Sequence, residues 1–211
     1  MTLLRFILNS ARKLKARLTR LKFGNQPRRL SLRPPCRIRG ASRIYFGDDV
    51  FVGPHSQIRA VENCGPQRER PDMPGEKQSF DPIIRIGNRF WATEGLHIAS
   101  YCDITIGDDV MVAGNVFISD GTHGYEDATI PYMYQPRTRI HPIRIKSGCW
   151  IGQNVVVMPG VSIGENVVIG ANSVVTRDIP DRCIAVGSPA RVIRTWDDEA
   201  RCWISANGEK L

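Results

Sequence analysis

The chain has 211 residues, 42% of them hydrophobic, which supplies one core but not clearly two. Its formal charge of +8 is unevenly placed: residues 1–44 hold 13 of the 29 Lys and Arg and no Asp or Glu, so the remainder carries 16 basic against 21 acidic residues. The six cysteines (36, 64, 102, 149, 183 and 202) form no CxxC pair and no zinc-ligand spacing, which argues against a disulfide framework and for a reducing, cytoplasmic compartment, and no apolar run approaches a membrane span.

The opening segment has helical periodicity. Leu4, Ile7, Ala11, Leu14, Leu18 and Leu21 alternate steps of three and four, with Arg12, Lys13, Lys15, Arg17, Arg20 and Lys22 mostly on the other side of the wheel. The spacing predicts a basic amphipathic α-helix over 1–24. Three readings of it stay open: peripheral contact with an anionic membrane at its inner face, packing on the protein body or on symmetry mates, and nucleic-acid binding. No base-reading motif accompanies the charge, so nucleic acid is not expected as a partner. An Arg/Pro-rich link over 25–43 follows.

From residue 44 to 195 the chain repeats itself every six residues. Phe46, Val52 and Ile58 form a first run; Ile86, Ala92, Ile98 and Ile104 a second; the phase then slips by two to Ile106, Val112 and Ile118. The longest run is Ile145, Ile151, Val157, Ile163, Ile169 and Val175, with Cys149, Val155, Val161, Val167 and Ser173 four places after successive anchors. A period of six fits neither a helix nor an alternating strand. It fits a short rung, a corner and an identical return, so that three hexads close a triangular coil of an all-β solenoid. Gly107-Asp108-Asp109, Gly164-Glu165-Asn166 and Gly170-Ala171-Asn172 supply residues suited to corners where φ turns positive. Cys102 and Cys149 fall where the repeat wants a small apolar side chain, and are expected to be buried thiols. Two segments, 59–85 and 119–144, lack anchors and are expected to leave the coil; loops of that length are usually functional or disordered. A short helical tail is expected over 196–211.

Asp120-Gly121-Thr122-His123 opening the long second loop, Cys149-Trp150-Ile151-Gly152, and the stretch from Gly170 through Arg177-Asp178-Ile179-Pro180 to Gly187-Ser188-Pro189-Ala190-Arg191-Val192-Ile193-Arg194 resemble the hexapeptide-repeat acyltransferases, closest to the galactoside and maltose O-acetyltransferases and the sugar acetyltransferases of surface-polysaccharide clusters. The resemblance covers about residues 44–195. It implies a left-handed parallel β-helix, a homotrimer with sites between subunits, acetyl-CoA as acyl donor, and a sugar or glycan acceptor. Acyl transfer from a thioester to a hydroxyl needs a base for the acceptor proton and donors for the tetrahedral oxyanion. His123 matches the family's catalytic histidine, and Asp120 or Glu126 is placed to orient it. The resemblance further implies cofactor contacts at Gln153, Ala171, Thr176, Arg177, Arg191 and Arg194. Acceptor contacts fall at Thr93, Tyr101 and Trp150, the first two departing from the residues usual there. No metal is expected, since His97, His123 and His141 lack the spacing of the zinc enzymes that share the solenoid. N-acetylation of an amino sugar and a non-catalytic solenoid are the rival readings.

Overall fold

The computed structural model describes residues 22–65 and 77–205, and over them the chain winds as a parallel β-helix of six coils with three faces. Face A stacks Ser31–Leu32, Phe51–Val52, Trp91–Ala92, Met111–Val112, Trp150–Ile151, Val168–Ile169 and Cys183–Gly187. Face B stacks Arg37–Arg39, Gln57–Ala60, His97–Ser100, Phe117–Ser119, Val156–Val157 and Val174–Val175. Face C stacks Ile44–Phe46, Ile83–Ile86, Asp103–Ile106, Ile143–Ile145 and Ser162–Ile163, with Ile179 bridging to Ile163. The anchors point inward and are buried, so the core is a column of aliphatic layers with Phe46 and Phe90 among its larger side chains. Cys149 is buried in that column, whereas Cys102 is only half-buried. Burial raises both thiols, to about 11 and about 12 respectively.

The slip of two residues in the repeat has a structural cause. Ser31 pairs with Phe51 and Trp91 with Met111, so these coils take 20 residues; Trp150 pairs with Val168, so the upper coil takes 18. The extra pair lies in longer strands such as Ile83–Ile86 and Asp103–Ile106, which bury two residues each, Ile84 with Ile86 and Ile104 with Ile106. Corners turn through the left-handed region as their composition implies: Asp109, Asn166 and Asn172 have φ of 57°, 54° and 59°. At one corner between faces A and B the coils approach so closely that a Cβ on Gly53 would run into the Thr93 carbonyl oxygen, and only glycine fits.

Three expectations change at the ends. The first coil begins at Ser31, inside the segment read as a link, because Ile38 and Leu32 already serve as inward anchors below Ile58 and Val52. The helix expected over 1–24 lies outside the described residues except for residues 22–24, which are not helical: Gly24 N–H donates to the Ile44 carbonyl (3.0 Å) and Phe23 meets Phe46 edge-on at 5.2 Å. The C-terminal segment is β, not helical. Ala190–Asp197 turns back antiparallel on Cys183–Gly187, and Cys202–Ser205 pairs antiparallel with it in turn. Val192, Ile193, Thr195 and the cross-strand Trp196–Trp203 pair, with rings 5.4 Å apart, favour strand over helix there. Residues 206–211 lie outside the described residues.

Candidate active site

Both excursions leave the coil at one corner, between faces B and C. The first departs after Gln57–Ala60 and returns at Ile83–Ile86; the second departs after Phe117–Ser119 and returns at Ile143–Ile145. Between them lies the same corner of the third coil, Ser100-Tyr101-Cys102. Each described excursion contains a small antiparallel ribbon: Asn63–Cys64 with Gln78–Ser79, and Thr122–His123 with Arg137–Thr138. Residues 66–76 of the first lie outside the described residues.

Gln78 joins the two ribbons. Its side-chain oxygen accepts from the Arg137 backbone N–H (2.6 Å), and its amide donates to the Arg137 carbonyl (3.0 Å), so it imitates a strand edge across 59 residues of chain. Tyr101, 4% exposed, is the floor beneath them. Phe80 meets its ring edge-on at 5.2 Å and the Arg137 guanidinium lies over it at 4.9 Å.

Asp120 anchors the second loop. It is fully buried, and its carboxylate accepts from Ser100 Oγ (2.6 Å), Tyr101 N–H (2.6 Å) and Cys102 N–H (3.0 Å). The expectation that Asp120 or Glu126 orients the histidine is therefore corrected. Asp120 is occupied by the neighbouring corner, while Glu126 accepts from Tyr125 N–H (2.8 Å) and lies near Arg139. Arg137 is the residue paired with His123 across the ribbon. The imidazole is exposed and makes no hydrogen bond among the described residues. Partial burial and the positive charge of Arg137 hold its pKa below the ordinary 6.5.

The other expected site residues do not gather in one place within a single subunit. Gln153 and Ala171 stack at the A–B corner of the fifth and sixth coils, where Asn172 N–H donates to the Gln153 carbonyl (2.8 Å). Gly187 N–H donates to Ser173 Oγ (3.0 Å) and closes the top of that corner, which brings Arg191 above it. Thr176 and Arg177 follow Val174–Val175 on the B–C side, the side from which the His123 loop departs two coils lower, and Arg194 pairs with Ile184 on face A. Thr93 is at the A–B corner and Tyr101 at the B–C corner. Trp150 projects from face A, 49% exposed, in register with Met111, which pairs in turn with Trp91, 51% exposed. Of the three expected acceptor residues, only Tyr101 shares a corner with His123, and it is buried under the ribbons rather than open to a ligand. Among the described residues, no three His, Cys, Asp or Glu side chains gather to hold a metal.

The model of the bacterial transferase hexapeptide (six repeats) matches residues 142–177, the longest regular run. A protein of Escherichia coli K12 named as a lipopolysaccharide-biosynthesis O-acetyl transferase, WbbJ, is 31% identical over 181 residues, covering 83% of each chain. The chain belongs to the hexapeptide-repeat acetyltransferase family. It is accordingly an acetyltransferase, and the relatives it matches are named for acetyl transfer to oxygen. The galactoside O-acetyltransferase of the same organism is 43% identical over 122 residues, 57% of this chain and 58% of that enzyme. Among solved structures, a mutant of the N-acyltransferase AntD from Bacillus cereus, in complex with dTDP and coenzyme A, superposes with a TM-score of 0.65 at 19% identity, over 88% of this chain and 90% of that one.

Arg137 and Gln78 went unnoticed in the sequence. Gln78 lies in a segment with no periodicity, and its partner is 59 residues away, so no local pattern marks either.

Proposed function

We propose that this chain transfers the acetyl group to a hydroxyl of a sugar or glycan in surface-polysaccharide synthesis, with His123 as general base. The observation that carries this reading is the state of that imidazole: exposed, without a hydrogen bond among the described residues, and kept neutral at pH 7 on a ribbon tied down through Asp120. A neutral imidazole takes the hydroxyl proton as the oxygen attacks the thioester carbonyl. The tetrahedral oxyanion collapses with loss of the C–S bond, and the imidazolium returns its proton to the departing thiolate. The enzyme itself is not acylated.

The assembly proposed is a left-handed β-helix homotrimer with sites between subunits. Supporting it, Trp91, Met111 and Trp150 form an exposed apolar column on face A, whereas His123 is at the opposite corner. A neighbour's face A set against this corner would unite Trp150 with His123, which one subunit keeps apart. Coenzyme A would then lie along the upper coils, near Gln153, Ala171, Thr176, Arg177, Arg191 and Arg194, whose cations suit its phosphates. The location proposed is the cytoplasm, with the basic segment 1–24 resting on the inner membrane face; among the described residues no helix is long and apolar enough to cross a membrane.

The test is calorimetric titration of acetyl-CoA, followed by turnover on a glycan panel. Micromolar binding weakened in Arg191→Ala/Arg194→Ala, and turnover reduced about 10²–10⁴-fold in His123→Ala, is the expected result. No binding to the assembled protein at millimolar acetyl-CoA would leave a structural solenoid. Turnover confined to amino sugars would replace O- with N-acetylation.

A further inference from the structure

The first excursion is fastened to the coil before it reaches the histidine ribbon. Val61 N–H donates to the Ser100 carbonyl (2.9 Å), at the corner whose Ser100 hydroxyl also holds Asp120. Phe80 N–H donates to the Glu62 carbonyl (2.7 Å), which closes the two stems on one another. Arg43, on the turn that precedes face C, reaches Asp81 on the returning stem at 2.7 Å and Glu62 on the departing stem at 3.5 Å. Gln78 therefore stands on a ribbon joined to the body through both stems.

The hydrogen bonds of the second ribbon determine which way its residues face. Gly124 N–H donates to the Pro136 carbonyl (2.7 Å), one residue after His123 and one before Arg137. With His123 opposite Arg137, that bond makes the two a non-hydrogen-bonded pair of an antiparallel ladder. Such a pair carries its side chains on one side of the ribbon, with Cα atoms only about 4.5 Å apart. Its backbone N–H and C=O groups point outward, away from the partner strand. On the Arg137 edge both outward groups are taken by one side chain, the Gln78 amide, at 2.6 and 3.0 Å.

Arg137 is thus held twice, by its backbone at Gln78 and by its guanidinium over Tyr101. Phe80, two residues on from Gln78, braces the same Tyr101 ring. Among the described residues, Arg137 is the one charged group that acts on the His123 imidazole. Asp120 is engaged with the neighbouring corner, and Glu126 lies by Arg139.

We infer that Gln78 is a positioning residue of the acetyl transfer: by filling the outer edge of Arg137 it fixes the strand across from His123, and with it the attitude of the imidazole toward the reacting groups. The inference rests on the acetyl-transfer reading. Glutamine suits the task because its amide presents a donor and an acceptor together, as a backbone edge does. Alanine offers neither, and asparagine offers both on a stem one methylene shorter.

The experiment follows the His123 imidazole by NMR in the full-length protein carrying ¹³C at histidine Cε1, its resonance being the one absent from His123→Ala. In Gln78→Ala the ribbon loses both bonds, so the imidazole is freed from Arg137 and gains water, and each change removes a cause that lowers its pKa. The titration midpoint is therefore expected to rise toward the ordinary 6.5, and to return part of the way in Gln78→Asn. With the acceptor found in the glycan panel, kcat is expected to fall about 10- to 100-fold in Gln78→Ala, with acetyl-CoA affinity unchanged. Ser79→Ala breaks another hydrogen bond of the same ribbon, from Ser79 Oγ to Asn63 (2.9 Å), without touching Arg137. It is expected to leave both readouts at the parent value. Either readout unmoved in Gln78→Ala overturns the proposal, even where the urea midpoint falls. An equal shift in Ser79→Ala also overturns it, since any loosening of the ribbon would then suffice. Failure of acetyl-CoA binding in the unaltered protein instead removes the acetyl-transfer reading.

Discussion

At the scale of the residue, no acid among the described residues orients His123, and its state follows from partial burial and the Arg137 charge. Burial and Arg137 both lower its pKa, so the acid limb of kcat/KM is expected below pH 6.5, with the neutral, proton-accepting form dominant above it. Arg137→Gln removes a positive charge that disfavours the imidazolium. The pKa therefore rises and the acid limb moves to higher pH, which a pH–rate profile measures. A residue with only a structural role leaves that limb where it was. Asp120→Ala removes the acceptor of Ser100 Oγ–H and two backbone N–H groups in a buried place. A loss of about 1–3 kcal/mol for each orphaned group is the scale expected, read from the urea midpoint. The exposed place of His123 on a loop was legible in the sequence because Gly-Thr-His opens a segment without repeat anchors. The brace at Asp120 was not, since burial follows from a corner twenty residues earlier, and Asp beside His suggests a different partnership.

At the scale of the element, the hexad told the strands and the corners, while coil length came only from register. A six-residue repeat predicts 18 residues per turn; the lower coils use 20 because face C inserts a second inward residue, as at Ile104 and Ile106. The final segment was misread because a short polar tail has no repeat to follow, and the strand pairing that defines it is with its own neighbour. Cores built this way are sensitive to single layers. Ile104→Ala, in a fully buried rung between Ile84 and Ile143, is expected to cost about 2–5 kcal/mol by denaturant unfolding. Asn154→Val, at a corner with φ of 58°, is expected to cost about 1–2 kcal/mol, and Asn154→Gly much less.

At the scale of the whole molecule, the stacked coils carry the buried core and the described parts of the two excursions carry the candidate site, so the proposed function and the stability fall to different parts of the chain. Deleting residues 1–21 leaves Phe23 and its contact with Phe46 in place, so an unchanged unfolding midpoint and unchanged acetyl-CoA affinity are expected, with binding to anionic vesicles lost on sedimentation. Vesicle binding equal to that of the full chain would remove the membrane from the account. The reversal of direction on face A after Gly187 has a consequence of another kind. A stack of parallel rungs is an open-ended template, and an uncapped top could accept the bottom of a second molecule and grow into a fibre. By turning Ala190–Asp197 and Cys202–Ser205 antiparallel, the chain covers its own last parallel rung on face A, so a second molecule meets no parallel rung there to continue.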